Sequence, residues 1–436
     1  MMKGQVGRVI DALAANLWLI PLLAFVVAYG LSRGLGVFDR SLDTTARAWF
    51  VYGGSPSGAR QLLATIAGSM ITFIGLVFSS TILVLQLASS QFSPRVMRSF
   101  FRDRVIQLAL GTFIATFAYA ILVLREIRED PAHPFVPGLS TYVAITLVWL
   151  SLAMFVIYID HVGQRIRAVS VIEIATDETT KSLTRLHSNR PPAAALILPE
   201  NTPRVVTAPK HGVVATIDAT ALTKIGMKLD AILEVVPVPG DFLCTGSPIV
   251  RVWCSHALSS SENDEIAATV SIERERTMRE DALFGFRQLV DIADKALSPG
   301  INDPTTAVQV LDQLHELLRR VAESGPRPDV YRDEREVVRA LVPRVTWAQY
   351  VDHALEEILL YGRRSLHVMR RLRTLVIDLE QTVTREYRPA LASYRQRIEV
   401  CIDEGFEAAA DREAARRLPP ATKNRQNGVP NAVASL

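Results

Sequence analysis

Four long runs of apolar residues fill the first 160 residues of the chain. Each run reaches the roughly 20 residues that an α-helix needs to cross a hydrocarbon core about 30 Å thick. The pattern therefore predicts a four-helix transmembrane domain over residues 1–160. The runs cover residues 17–37, 61–94, 105–124 and 139–159.

The second run is the longest and carries no charged residue. At about 1.5 Å per residue a helix of this length spans about 50 Å, so it must tilt or continue beyond the membrane. Small residues recur along it at helical spacing, and polar residues recur beside them. The residues that we expect to line a pore or to pack against another helix are Ser69, Thr72, Ser79, Gln86 and Ser90.

Two interpretations of this second run stay open. Small residues let helix backbones approach closely, and hydroxyl groups bond across helices or to their own carbonyls, which favours packing. The amide of Gln86 needs partners or water near hydrocarbon, which favours a polar path. No charged residue lies in the middle of the second, third or fourth run, and this argues against an ion-coupled transporter.

Basic residues in the short connections predict the orientation of the chain. Positively charged loops stay in the cytoplasm, so we expect both termini to be cytoplasmic. The first run has no cleavage site of small residues after it, and we expect a retained signal anchor. The basic residues between the second and third runs, against a single Asp103, are Arg95, Arg98, Arg102 and Arg104.

Charge divides the chain into two parts. Residues 1–160 hold 12 Lys/Arg and 8 Asp/Glu, whereas residues 161–436 hold 36 and 37. Hydrophobic residues make up 49% of the chain and mean hydropathy is +0.19, which indicates a membrane domain followed by a soluble one. The soluble part is nearly neutral and lacks the concentrated basic face of a nucleic-acid-binding protein, so we expect no nucleic-acid partner.

The soluble part begins with a helical extension and a Pro/Ala-rich linker over residues 161–203. Residues 204–256 alternate between short apolar runs and Gly/Pro turns, which predicts a small β-rich module. A strand, the turn P-G-D at residues 239–241 and another strand are typical of half a barrel-sandwich of the biotinyl/lipoyl type. The predicted fold class is therefore α-helical in the membrane and α+β in the cytoplasm, with helical hairpins.

Residues 257–418 are expected to form a helical cytoplasmic domain, and the polar composition of residues 419–436 predicts a disordered tail. The last two expected helices would pair as a hairpin. The expected helices cover residues 280–297, 346–376 and 384–417, and a loop rich in Pro and charge is expected at residues 324–336.

The turn that follows the helix of residues 280–297 is the most motif-like feature of the soluble part. The next helix opens with Asp303 as N-cap and Pro304 at its first position, which is preferred start chemistry. A helix start can bind phosphate or another anion, because its amides point outward. The carboxylate of Asp303 already occupies the cap, which favours a scaffolding role.

The sequence gives little sign of catalytic or metal chemistry. Common nucleotide-binding and hydrolase motifs are absent from it, and we expect no enzyme activity, metal or cofactor. Cys244, Cys254 and Cys401 lack the spacing of a disulfide framework or zinc site, so we expect free thiols. Asp160 and His161, at the end of the fourth run, are expected to form a pair that caps a helix end at the membrane surface.

Charged residues between positions 273 and 287 are typical of a solvated or ion-paired face. Such groups would serve an enzyme only in a cleft that perturbs their pKa values. The polar residues of the soluble part that we single out as a cytoplasmic motif are Arg274, Arg276, Asp291, Asn302 and Asp303.

Five motifs together resemble one known family, the bacterial predicted membrane proteins called domain of unknown function 2254. The resemblance extends to about Arg417 and implies a four-helix membrane domain, a cytoplasmic domain, a bacterial inner membrane and no established activity. One departure is Asp160, where two adjacent histidines are expected, and it weakens any metal site there. The motifs are L-Q-L-A-S-S-Q-F-S-P-R (85–95), F-V-P (135–137), P-G-D-F (239–242), R-E-R-T (274–277) and L-V-D-I-A-D-K-A-L-S-P-G-I-N-D-P-T-T-A (289–307).

These observations favour a homo-oligomeric, channel-like protein of the lipid bilayer, regulated by its cytoplasmic domain. The alternative is a membrane-anchored sensor or scaffold without a pore, which binds an unknown cytoplasmic ligand or partner through residues 298–304. A third hypothesis, an enzyme acting on lipid or cell envelope, rests only on Asp160 and His161 as an acid–base pair near the membrane surface.

Overall fold

The chain forms two compact units, Met1–Ser170 and Val171–Leu436, which we call the membrane unit and the C-terminal unit. Of residues 87–91 and 165 only the helical backbone is described. The computed structural model describes residues 18–41, 53–91, 103–128, 135–165, 168–186, 199, 201–278, 280–325 and 329–418.

The membrane unit contains four helices that are long and apolar enough to cross a membrane, which confirms that prediction. Helices α1, α2 and α4 all pack against α3, which is the central helix of the unit. The bounds are α1 (Leu19–Ser41), α2 (Pro56–Gln91), α3 (Arg104–Leu124) and α4 (Gly138–Arg165).

Aromatic side chains fill the interior of the membrane unit. Phe113 of α3 is fully buried. The ring of Phe73 on α2 stacks on Phe113 with centroids 5.9 Å apart and meets the ring of Phe155 on α4 edge-on at 4.9 Å. Aromatic pairs at these separations stabilise the folded state by more than the burial of their surface alone. This cluster therefore holds α2 and α4 to α3.

Aspartate side chains cap two of the membrane helices. Asp39 near the end of α1 is buried and accepts hydrogen bonds from the backbone N–H groups of Leu139 and Ser140, at the start of α4. Asp103 accepts a hydrogen bond from the N–H of Val105 at the start of α3. Because the first N–H groups of a helix have no partner within the helix, these carboxylates satisfy them.

Short strands in the C-terminal unit form two small sheets. They are β1 (Arg204–Thr207), β2 (Gly212–Ile217), β3 (Ile232–Val235), β4 (Phe242–Leu243), β5 (Pro248–Trp253), β6 (Val270–Glu273), β7 (Asp329–Arg332) and β8 (Val338–Val342). One sheet has the order β1-β5-β3-β8-β7 and the other has the order β4-β2-β6. Strand β3 pairs in parallel with β8, and the other pairs are antiparallel.

The helices after residue 165 include a group, from residue 282 onward, whose members pack on one another and form a second core. Helix α8 packs against α9 and α10, and α11 packs against α9, α12 and α13. The helices are α5 (Ala168–Leu186), α6 (Ala219–Lys228), α7 (Ser260–Ala267), α8 (Ala282–Ala296), α9 (Pro304–Ser324), α10 (Trp347–Gly362), α11 (Leu366–Thr382), α12 (Arg388–Gly405) and α13 (Ala409–Arg416).

The predicted barrel-sandwich is not confirmed. The strands of residues 204–253 divide between two sheets, and β8, from outside the predicted module of residues 204–256, pairs with β3. Helix α6 packs on β3 and β8, and Leu222, Leu233 and Ile249 are fully buried in the core of this region. The C-terminal unit is therefore an α/β region with small sheets rather than a closed sandwich.

Two predicted helices are divided in the structure. The helix expected over residues 346–376 ends at Gly362, and Ser365 caps the new helix α11 by accepting from the N–H of Val368. A Cβ at position 362 would overlap Val368, so glycine allows the close approach of the two helices. The helix expected over residues 384–417 is a short 3₁₀ turn followed by α12 and α13. Strand β7 lies in the predicted loop of residues 324–336, and strands β6 and β8 lie in a region that the sequence predicts to be helical.

Candidate functional site

A stripe along the exposed side of α2 consists mainly of small and polar residues, and exposed Ile71, Leu76, Phe78 and Leu83 flank it. The opposite face is buried and carries Leu63, Met70, Val77 and Val84 at intervals of seven residues. The residues of the stripe follow one another at alternating steps of four and three, which keeps them in line along a helix. This stripe, which we call the α2 seam, consists of Gln61, Thr65, Gly68, Thr72, Gly75, Ser79, Ile82 and Gln86.

Three of the five predicted membrane-site residues lie on the α2 seam, namely Thr72, Ser79 and Gln86. Ser69 lies beside the seam and donates to the carbonyl of Thr65 at 2.8 Å. The side chain of Ser90 lies outside the described residues. The structure therefore aligns part of the predicted set on a single exposed face of α2.

The polar groups of the seam differ in how they are satisfied. The hydroxyl of Thr65 donates to the carbonyl of Gln61 at 2.8 Å, so it makes its bond within the helix. Ser79 and Gln86 have no hydrogen-bond partner for their side chains in the part of the chain that the structure describes. A Cβ at Gly68 or Gly75 would meet no described atom within 4 Å, so no described helix packs closely there.

Polar contacts mark the two ends of the membrane unit. At one end the guanidinium of Arg60 on α2 donates to the carbonyl of Ile127 at 3.4 Å. At the other end Tyr158 of α4 hydrogen-bonds Thr81 of α2 at 2.9 Å. Gln86 lies more than one helical turn beyond Thr81, so the last turns of α2 continue past the level of this contact.

Asp160 and His161 do not form the expected pair. The Nε2 atom of His161 lies 2.6 Å from Oδ2 of Asp103, whose carboxylate also caps α3. The carboxylate of Asp160 instead accepts a hydrogen bond from the amide of Gln164 at 2.9 Å. His161 therefore fastens α4 to the start of α3, and these contacts account for both residues structurally.

In the C-terminal unit, Arg276 forms a bidentate pair with Asp281 at 2.8 and 3.0 Å. Asp281 also caps α8 by accepting from the N–H of Phe284, whose ring lies 5.2 Å from the guanidinium. Gly240 of the P-G-D turn approaches so closely that a Cβ would crowd both charged groups. Burial raises the pKa of the Asp281 carboxyl despite the neighbouring Arg276. The P-G-D-F and R-E-R-T motifs therefore meet at one structural ion pair. Arg274 is exposed and takes no part in that pair.

The turn at residues 298–303 is closed by its own backbone. The N–H of Asn302 donates to the carbonyl of Ser298, and Asn302 adopts a positive φ of 48°. Asp303 accepts from the N–H groups of Thr305 and Thr306 at 3.1 Å each, which confirms it as the N-cap of α9. The carboxylate occupies the helix start, so this turn offers no free anion site.

The third polar site lies between α8 and α10 and contains one arginine and three carboxyl groups. Arg287 donates to Asp291 at 2.6 Å and to Glu357 at 2.5 Å. Its Nη2 atom lies 3.9 Å from Oδ2 of Asp294. The Oδ1 atom of Asp294 is buried without a hydrogen-bond partner in the described part of the chain. We call these four residues the α8–α10 cluster.

The pKa values of two carboxyls in this cluster move in opposite directions. Burial and the contact with Glu357 raise the pKa of Asp294 to about 8. The hydrogen bond from Arg287 lowers the pKa of Glu357 to about 2. Divergent pKa values in neighbouring acids are typical of a pair that shares a proton.

A histidine network joins α9 to α11. The Nε2 atom of His315 lies 3.0 Å from Asp378, and Arg371 donates to its Nδ1 atom at 3.0 Å. An arginine can only donate, so Nδ1 is an acceptor and Nε2 carries the proton. Both ring nitrogens are therefore engaged, and the network fastens α9 to α11.

Of the predicted cytoplasmic residues, Arg276 and Asp291 belong to two different polar sites, and Asn302 and Asp303 shape a turn. Sequence reasoning missed Asp294 and Glu357. The spacing of Arg287 and Asp291 suits an ion pair on one helix face, but nothing local links this face to α10. Within the described residues, no group of three or more His, Cys, Asp or Glu side chains is arranged to hold a metal ion.

Comparison with known proteins agrees with the membrane architecture. The family model described as predicted membrane protein (DUF2254) matches residues 14–378. The uncharacterized protein Rv1290c of Mycobacterium tuberculosis is 30% identical over 384 residues, covering 86% of this chain and 73% of its own length. The uncharacterized protein Mb1321c of Mycobacterium bovis has the same identity and coverage. No solved structure matches the chain.

Proposed function

The chain belongs to the DUF2254 family of predicted membrane proteins, and from this premise we propose that it is a homo-oligomeric, channel-like membrane protein. In this proposal α2 of each copy presents its seam toward a shared path, and the C-terminal unit regulates that path. The protein lies in the bacterial inner membrane with both termini in the cytoplasm, and it is not an enzyme.

The observation that carries the proposal is the α2 seam. Its alternating steps of four and three residues are the spacing by which parallel helices pack along one another. Gly68 and Gly75 leave room for a neighbouring backbone, which suits the close helix contacts seen in membranes. The seam therefore fits α2 helices of further copies gathered around one axis.

The polar groups of the seam support a path rather than a lipid-facing surface. Unpaired polar groups in hydrocarbon cost free energy, and Ser79 and Gln86 have no partner in the described residues of one copy. Further copies or water in a path would satisfy both. The uncharged seam fits passive conduction better than an ion-coupled cycle.

Cysteine cross-linking in membranes tests this arrangement. The experiment uses a background with Cys244, Cys254 and Cys401 replaced by serine, carrying either Thr72→Cys on the seam or Ile71→Cys beside it. We expect oxidation to cross-link Thr72→Cys between copies at least about tenfold more than Ile71→Cys, because a disulfide needs Cα atoms within about 7 Å. Both positions are exposed in one copy, so exposure alone does not separate them.

Equal cross-linking of the two variants would contradict the proposed seam. The alternative, a sensor or scaffold without a path, would then stand. The closed turn at residues 298–303 gives that alternative no ligand site of its own, since Asp303 is already the helix cap. For this reason the channel-like function is preferred.

A further inference from the structure

One carboxyl oxygen of the α8–α10 cluster, Oδ1 of Asp294, is buried without a hydrogen-bond donor among the described residues. Arg287 directs its donors to Asp291 and Glu357. Its Nη2 atom lies 3.9 Å from Oδ2 of Asp294, which is too long for a hydrogen bond, and no described residue donates to the buried Oδ1 atom. A buried carboxylate oxygen without a donor is costly.

One proton resolves this deficit. Two ionised carboxylates offer only acceptor oxygens, whereas a protonated carboxyl donates a strong O–H···O hydrogen bond to its neighbour. Three ionised carboxyls would also leave a net negative charge beside a single guanidinium. We propose that Asp294 and Glu357 hold one shared proton and form a proton-binding site that joins α8 to α10.

The described charged groups around Asp294 and Glu357 include no second guanidinium, so a bound proton is needed to offset their negative charge. On α8 the pair faces Arg287 and Asp291, and on α10 His353 acts on Glu357. The buried face of α9 is apolar except for Thr306. The charged side chains of α5 are exposed. No second guanidinium therefore competes with Arg287 for the pair among the described groups that act on it.

The site predicts how stability depends on pH. The pKa of Asp294 is about 8 in the folded protein and close to 4 in an unfolded chain. The folded protein therefore binds one more proton than the unfolded chain between these values. The free energy of unfolding must therefore fall as pH rises through this window. The folding equilibrium constant falls by about tenfold per pH unit, and this fall is complete above about pH 8.

Loss of the proton weakens one specific contact. Above about pH 8 the two carboxylates repel each other and Oδ1 of Asp294 is left without a donor. The junction of α8 and α10 then loosens, which makes it a switch that works near neutral pH. This inference concerns the C-terminal unit and holds whether or not the membrane unit conducts.

Infrared titration of the full-length protein in detergent tests the proton site. We expect the signal of a protonated carboxyl to disappear in the wild type between about pH 6 and about pH 9. The variants Asp294→Asn and Glu357→Gln should each lack this change, since each removes one member of the pair. Glu356→Gln is the matched control on α10, because Glu356 is exposed and lies 3.8 Å from Arg397; it should retain the change.

Thermal unfolding adds a second readout. At about pH 9 the Asp294→Asn variant should unfold at a higher temperature than the wild type, and at about pH 5 this advantage should be much smaller or reversed. A wild type without a protonated carboxyl signal in this range would overturn the proposal. Retention of the full signal change in both Asp294→Asn and Glu357→Gln would also overturn it.

Discussion

Gly285 of α8 shows how a single position controls helix packing. A Cβ at this position would overlap the side chain of Thr179 on α5. Thr179 cannot give way easily, since it is buried and its hydroxyl donates to the carbonyl of Ala175 at 2.6 Å. The glycine is therefore needed for the close approach of α5 to α8.

Gly285→Ala should destabilise the protein by about 1–3 kcal/mol, because the extra methyl group overpacks the contact with Thr179. Gly300→Ala is the matched control, since a Cβ there meets nothing within 4 Å. Its effect should stay within about 0.5 kcal/mol. Thermal unfolding of the full-length protein measures both, and equal effects would contradict the packing argument. Adding Thr179→Ala should recover part of the loss.

At the scale of single residues, hydrogen bonds between neighbours in the chain can be predicted from the sequence, whereas contacts between distant residues cannot. Asp303 could be predicted as a helix cap because its partners Thr305 and Thr306 follow it by only two and three residues. The contact of Asp294 with Glu357 could not, because the two residues lie on different helices and meet only after α8 packs on α10.

Tyr158 joins two membrane helices through its hydroxyl. The group lies 2.7 Å from the hydroxyl of Ser80 and 2.9 Å from that of Thr81, both on α2. Tyr158 is buried, and its hydroxyl also lies 3.1 Å from the carbonyl of Val77. It therefore fixes the register of α4 along α2.

Tyr158→Phe should lower the stability of the membrane unit by about 0.6 kcal/mol, with about 1.7 kcal/mol as the upper bound for such bonds in membranes. The loss is small because Ser80 and Thr81 keep their own bonds to the carbonyl of Val77. Tyr142→Phe, at an exposed position of α4, is the control and should have no effect. Unfolding in the same detergent compares them, and a larger loss for Tyr142→Phe would exclude this role.

The sequence predicts best those elements that lie in one kind of surroundings along their whole length, such as helices in lipid. Lipid requires long apolar helices, and α1 to α4 coincide with the four predicted runs. Strands β3 and β5 were also expected, on either side of the P-G-D turn. Strands β7 and β8 were not expected, because β8 finds its parallel partner β3 far away in the chain. The break after Gly362 was not expected either, because the apolar positions keep helical spacing on both sides of it.

The whole chain combines a charge-poor membrane unit with a charge-rich C-terminal unit. The membrane unit carries one prominent polar surface, the α2 seam. The C-terminal unit carries the α8–α10 cluster, whose protonation changes near neutral pH under our proposal. A proton-responsive C-terminal unit in the same chain as a polar membrane seam is consistent with a regulated path, and each part has its own test.

Ion flux from liposomes that contain the purified protein, with the oligomeric mass measured in the same detergent preparation, tests the central claim most directly. We predict flux from an oligomer, and at least a tenfold loss of flux for a protein that carries both Thr72→Leu and Gln86→Leu. The control Leu76→Ile, at an exposed position beside the seam, should keep the wild-type flux. A folded monomer without flux, or an established flux that the double substitution leaves unchanged, would contradict the account.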